Sequence, residues 1–311
     1  MSSCKLLAFY LSLTLVVASL SESYCQTFWL ESRSGYSFRN NDFYVDYLND
    51  YHLLTSESRI GMLFMLQQPG LYVQPYFCIS AIHDAGSDNW NEVDWHNNFV
   101  YGVGARLRYH PGKFLFLRPR DFSLSFFAEV LGITYQKNDL FYTGHRPTND
   151  MKAGAEYWLS FRPDPTDSSF AFYFWMDNAG SISYAKSSFY SKLQTDYILL
   201  NAHSLFGIGY RFSDMIQAQI FVSGEASTDL GHKDREALDW YNKVEGGFGS
   251  RFFISRFHKS MPGQLNIVVM PFIELLWTKY LRKVYYVPTY RPTSDIAFGV
   301  TVWLTLNFYD E

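Results

Sequence analysis

Residues 295–309 read DIAFGVTVWLTLNFY. Ile296, Phe298, Val300, Val302, Leu304, Leu306 and Phe308 take every second position, and all are apolar. Between them stand Asp295, Ala297, Gly299, Thr301, Trp303, Thr305, Asn307 and Tyr309. Successive side chains of a strand point to opposite faces, so this segment is a strand with one apolar and one mostly polar face. A helix would scatter the same residues around its circumference.

The same period recurs upstream. Phe99, Tyr101, Val103, Ala105, Leu107 and Tyr109 oppose Asn98, Gly102, Gly104, Arg106, Arg108 and His110. Phe122, Leu124, Phe126, Ala128 and Val130 oppose Ser123, Ser125, Phe127 and Glu129. Met151 through Phe161 alternates against Lys152, Gly154, Glu156, Trp158, Ser160 and Arg162. Leu265, Ile267, Val269, Ile273, Leu275 and Trp277 oppose Asn266, Glu274 and Thr278. Further strands are expected near 71–83, 168–177, 202–212, 215–226 and 244–257. Weaker ones fall at 27–38 and 57–67, and 42–54 is ambiguous.

Composition narrows the class. The 311 residues are 48% hydrophobic, 18% charged and 19% aromatic, an aromatic excess that excludes disorder, collagen and coiled coil. Twenty-six basic and thirty acidic residues give a net charge of −4 with no basic block, so a nucleic-acid partner has no electrostatic support. At the N-terminus Lys5 precedes the apolar run Leu6–Leu20. That pattern reads as a secretory signal peptide over 1–25, leaving 26–311 as one domain. Cys78 is then the one certain mature cysteine, read as a packed side chain, and no disulfide framework is expected. No later stretch is long and apolar enough for a spanning helix.

Alternation alone does not say which face is wet. A soluble β-sandwich or a lipid-carrying barrel would turn the apolar face inward, and a membrane barrel turns it outward. Three features favour outward. The polar faces carry Arg, Lys and Glu of mixed sign. About a dozen strands close a cylinder too wide for side chains alone to fill. Aromatics gather near strand ends, at Tyr101, Tyr109, Tyr157, Phe161, Tyr210, Phe212, Trp277 and Phe308. Connections also alternate in length, apart from a medium one at 111–120 in a short-loop slot: short at 68–70, 163–167, 213–214 and 258–263, long at 84–97, 137–150, 178–201, 227–243 and 281–294. Short periplasmic turns and long outer loops place the C-terminus in the periplasm. The expectation is all-β: a closed antiparallel transmembrane up-and-down β-barrel of about twelve strands with a polar lumen.

The signal segment, the strands and the C-terminal FGVTVWLTLNFYDE resemble Gram-negative outer-membrane β-barrel proteins over essentially the whole mature chain. Such proteins usually end in an aromatic, whereas Phe308 and Tyr309 are followed here by Asp310 and Glu311. NNFVYGVGARLRYHPGKF (97–114) and FSLSFFAEVL (122–131) are more loosely similar to barrels that export exopolysaccharide or serve phage adsorption. The resemblance implies residence in the bacterial outer membrane, with outer-membrane lipid and the barrel-assembly machinery as partners. It implies a channel or export conduit for small polar solutes or polysaccharide. The alternatives are a surface receptor or adhesin barrel with an occluded lumen, and a barrel-embedded lipid-modifying enzyme.

Lumen-lining candidates follow from the polar faces: Arg106, Arg108, Glu129, Lys152, Glu156, Arg162, Arg211, Arg251 and Glu274. Opposed charges in a wet pore set solute preference; their alternative role is to pair and brace the wall. Outer-loop ligand candidates are Trp90, Trp95, Trp240, Tyr285 and Tyr286, with Tyr290, near Asp88, Glu92, Asp94 and Asp239. Aromatics beside carboxylates suit sugar faces and hydroxyls, or they pack over the barrel mouth. The histidines show no metal-ligand spacing, so no metal is expected. No nucleotide loop or other cofactor motif occurs, so no cofactor is expected. His203 and Ser204 are adjacent and therefore on opposite faces of a regular strand, which denies them a shared catalytic site. The His-x-Ser-Asn-Gly signature of the twelve-stranded outer-membrane phospholipase is absent.

Overall fold

The computed structural model describes residues 25–44, 48–66, 68, 70–85, 98–111, 122–135, 147–161, 171–186, 196–213, 215–230, 242–261, 263–281 and 292–309. Twelve strands run through them: β1 (Cys25–Tyr44), β2 (Leu48–Met65), β3 (Leu71–Asp84), β4 (Asn98–Tyr109), β5 (Phe122–Tyr135), β6 (Pro147–Phe161), β7 (Phe172–Lys186), β8 (Asp196–Arg211), β9 (Ile216–Asp229), β10 (Lys243–Met261), β11 (Gly263–Tyr280) and β12 (Pro292–Tyr309). Each pairs antiparallel with its chain neighbours, and β1 pairs β12, so the sheet closes on itself. Closure leaves no edge, so every strand's backbone groups find a ladder partner on both sides.

The two weak N-terminal stretches fall in the paired strands β1 and β2, and the ambiguous 42–54 supplies the end of β1 and the start of β2. The expected long connection 178–201 is shorter: β7 runs on to Lys186 and β8 starts at Asp196. Residues 178–186 carry small and hydroxyl side chains, which resemble a loop in composition. In the barrel Ala179, Ser181, Ser183 and Ala185 simply line the inside. The predicted signal segment, apart from Cys25 in β1, lies outside the described residues.

Strands of 12 to 20 residues exceed the 9–11 needed to cross a bilayer. Following the pairings once around from Arg33 returns to β1 offset by about 20 residues. With strands ~4.8 Å apart, that stagger tilts them by about 50° and sets a backbone radius of about 14 Å. Strong tilt consumes residues without adding height. It also widens the interior beyond what wall side chains can fill.

Outside, the large apolar side chains stand free of protein: Phe77, Val103, Phe126, Phe174, Ile220, Ile273 and Ile296 are all exposed. Inside lie the charges. Phe221 and Ile220 show the contrast on consecutive positions of β9, the first buried and the second exposed. A closed cylinder with its apolar side chains outward and its charges inward is an outer-membrane β-barrel, and bilayer hydrocarbon covers its exterior. The bacterial outer membrane is therefore where this chain resides.

Candidate functional site

Register fixes which candidates share the interior. Arg106 pairs Gln74 and Phe127, Arg108 pairs Ser125, Glu129 pairs Lys152, and Glu156 pairs Ser181. Arg211 pairs Gln217, Arg251 pairs Gln219, and Glu274 pairs Gly249. All eight lie on the face opposite the exposed apolar residues. Arg162 lies outside the described residues, as do Trp90, Trp95, Trp240, Tyr285, Tyr286 and Tyr290. His203 pairs Glu225 on the inner face and Ser204 pairs Gly224 on the outer face, so they diverge.

Tyr76 is the hub of the first half of the wall. Its hydroxyl donates to Glu129 Oε1 at 2.6 Å, reaching across β4 from β3 to β5. Gly104 on β4 makes that reach possible: a Cβ there would stand 2.7 Å from the Tyr76 ring. Arg59 and Arg106 place their guanidinium carbons 5.8 and 5.7 Å from the ring centroid, within cation–π range. Trp29 packs beside the same ring at 6.1 Å. Carboxylates hold the arginines in turn: Arg59 Nη2 lies 2.8 Å from Glu57 Oε1, and Arg106 Nε 3.2 Å from Glu156 Oε1. Next to this cluster a recess of about 310 Å³ is lined by Glu31, Arg33, Glu57, Arg59, Trp303 and Thr305. Arg33 lies over the Trp303 ring at 5.4 Å.

The opposite wall is built on Arg251. It donates from Nε to Gln219 Oε1 at 2.9 Å and approaches Asp177 Oδ2 at 3.5 Å. Ser160 donates to Asp177 Oδ1 at 2.6 Å, and Gln219 Nε2 donates to the Tyr173 hydroxyl at 3.0 Å. The guanidinium sits 4.3 Å from Trp175 and 4.8 Å from Phe253. Tyr173 reaches over Gly209 just as Tyr76 reaches over Gly104. Higher up, Lys243 Nζ stands 3.3 Å from Glu225 and 3.6 Å from Glu245, and Thr278 donates to Glu245 at 2.8 Å. In both walls long side chains lie along the wall over small residues, rather than crossing the bore.

Strand direction turns register into height. The ends joined by the short connections 66–70, 212–215 and 262 are periplasmic by loop length. Arg59, Arg106, Arg108, Arg211 and Arg251 lie in that half. Glu57, Glu129, Glu225, Glu245 and Glu274 lie in the extracellular half, with Lys152 and Lys243 among them. Glu31, Glu156 and Asp177 also lie in the periplasmic half, so the lumen is predominantly basic below and predominantly acidic above. Sequence reasoning missed Arg59, Tyr76, Arg33, Glu31 and Trp303; the available signals were the like-faced pairs Glu31-x-Arg33 and Glu57-x-Arg59 and the place of Trp303 on the polar face of its strand.

No family model and no curated protein matches the chain. Among solved structures it is similar to the beta domain of the Bordetella autotransporter BrkA, at 12% identity over 92% of this chain and 99% of that one, with a TM-score of 0.45. It is similar to an outer membrane channel from Pseudomonas putida F1, at 9% identity over 91% and 96%, TM-score 0.43. The translocator domain of the autotransporter NalP from Neisseria meningitidis aligns at 10% identity over 97% and 96%, TM-score 0.40.

Proposed function

We propose that this protein is a water-filled channel that passes polar solutes across the outer membrane. One observation carries the reading: inward carboxylates are solvated. The side chains of Glu57, Glu225 and Glu156 are 50%, 39% and 35% exposed although they face the inside of a closed barrel. Charges at membrane depth are tolerated where they line a water-filled cavity. The bore left by a radius of about 14 Å admits solutes larger than water. Trp158 and Trp303 offer ring faces to the lumen, so the apolar faces of sugar rings are among the surfaces this wall suits.

The test is reconstitution of the purified full chain in planar bilayers. Discrete conductance steps are expected, scaling with salt. Absence of steps over many verified insertions overturns the channel reading.

A further inference from the structure

Among the described residues, nine buried side-chain nitrogen or oxygen atoms lack a hydrogen-bond partner, and five of them fall on one patch of wall. These are Trp29 Nε1, Arg59 Nε, Gln74 Oε1, Arg108 Nε and Arg106 Nε, the last lying 3.2 Å from Glu156 Oε1 as an ion pair without the alignment of a hydrogen bond. They lie on four consecutive strands, β1 to β4, in the periplasmic half. Trp29, Gln74 and Arg106 are only 8%, 5% and 6% exposed. Buried polar groups normally find partners, and a cluster of orphans in one place asks for a bound group.

The chemistry of the orphans selects that group. Four of the five are N–H donors, and three belong to guanidiniums. Of the neighbouring carboxylates, Glu57 is engaged with Arg59, Glu156 with Arg106 by distance and Glu129 with the Tyr76 hydroxyl, while Glu31, the register partner of Arg59, is exposed and stands within ion-pair distance of none of the orphan donors. Arg108 has no carboxylate partner among the described residues. What is missing is a source of acceptor oxygens with negative charge. Planar guanidinium forks match carboxylate, phosphate and sulfate. Gln74 Oε1 is the single orphan acceptor, placed to take a hydroxyl beside the acid.

We infer that the periplasmic half of the β1–β4 wall is a binding station for an oxyanion: a free sulfate or phosphate, or the acid group of a polyhydroxy solute. Arg106 and Arg108 grip the anion, with Arg59 and Trp29 donating beside it. The inference rests on a lumen open to solutes, as proposed above, but its test reads binding and not current.

Isothermal titration calorimetry of the purified full chain in neutral detergent, at constant ionic strength, is run with sodium sulfate, sodium phosphate and sodium gluconate. Saturable binding of at least one is expected. Arg106→Gln and Arg108→Gln should weaken it tenfold or more. Arg108→Lys, which keeps the charge and loses the fork, should fall between. Lys279→Gln, a cation on the outer face, should bind as the unaltered chain does. Gluconate without sulfate or phosphate assigns the station to organic acids, and the reverse assigns it to inorganic ions. No saturable binding overturns the inference, as does equal weakening in Lys279→Gln. Binding without bilayer conductance would retain the station and remove the channel; conductance without binding would do the opposite.

Discussion

Replacing Tyr76 by Phe removes one oxygen atom and keeps the ring that Arg59 and Arg106 sit on. The lost bond runs at 2.6 Å to the Glu129 carboxylate. Hydrogen bonds to charged groups contribute about 1.5–3 kcal/mol to stability. Lumen water can re-solvate Glu129, so the lower end applies, about 1.5 kcal/mol or roughly a tenfold change in the unfolding constant. Tyr76→Ala goes further. It removes two cation–π contacts worth ~0.5–1 kcal/mol each and opens a void over Gly104, for a total of about 3–5 kcal/mol. Urea unfolding of the barrel reconstituted in phospholipid vesicles, followed by tryptophan fluorescence, measures both. A double-mutant cycle with Glu129→Gln isolates the bond, and a coupling of about 1 kcal/mol or more is expected. If Tyr76→Phe unfolds with the unaltered chain, and the cycle closes with no coupling, the hub is only a packed ring.

Two further outcomes follow from the same geometry. Val103 faces the bilayer between the exposed Phe77 and Val130, so Val103→Arg should cost about 2–4 kcal/mol in equilibrium folding into vesicles. Ser80→Arg faces inward beside Glu57 and should stay within ~0.5 kcal/mol of the unaltered chain. The axial separation of charge should rectify the bilayer current. With the extracellular side positive, cations from the acidic half and anions from the basic half are both driven to the middle of the bore, so conductance is higher at that polarity. Arg106→Gln and Arg108→Gln together should reduce the asymmetry, and a current–voltage curve symmetric in the unaltered chain would contradict the assignment.

The barrel was legible because lipid and water impose a period of two, and β4, β5, β6, β11 and β12 obey it. The hairpin β1–β2 was hard to read for a physical reason. Its outer face carries Ser32, Ser34, Ser56 and Ser58, and its inner face carries Glu31, Arg33, Glu57 and Arg59, so both faces are polar in sequence. The serine hydroxyls satisfy each other across the hairpin, Ser32 with Ser58 at 2.8 Å and Ser34 with Ser56 at 3.1 Å, which lets them face hydrocarbon. The same device pairs Asn178 with Ser204 on β7–β8. Alternation placed Arg106 and Arg251 on an inner face, but could not say what they touch. Contacts such as Tyr76 with Glu129 span 53 positions and depend on register and on Gly104 between them.

The orientation of β12 decides the rest. In a Cys25→Ser/Cys78→Ser background, single cysteines are placed at each position from 296 to 306 other than 297, 299 and 301 and treated in vesicles with a charged, membrane-impermeant thiol reagent. Residues 303 and 305, whose side chains reach the lumen, should react, and 296, 298, 300, 302, 304 and 306 should be protected; Ala297 and Thr301 are buried in the wall and Gly299 has no room for a side chain, so these three do not enter the test. The inverse pattern, or uniform protection, would contradict a wet interior inside an oil-facing wall.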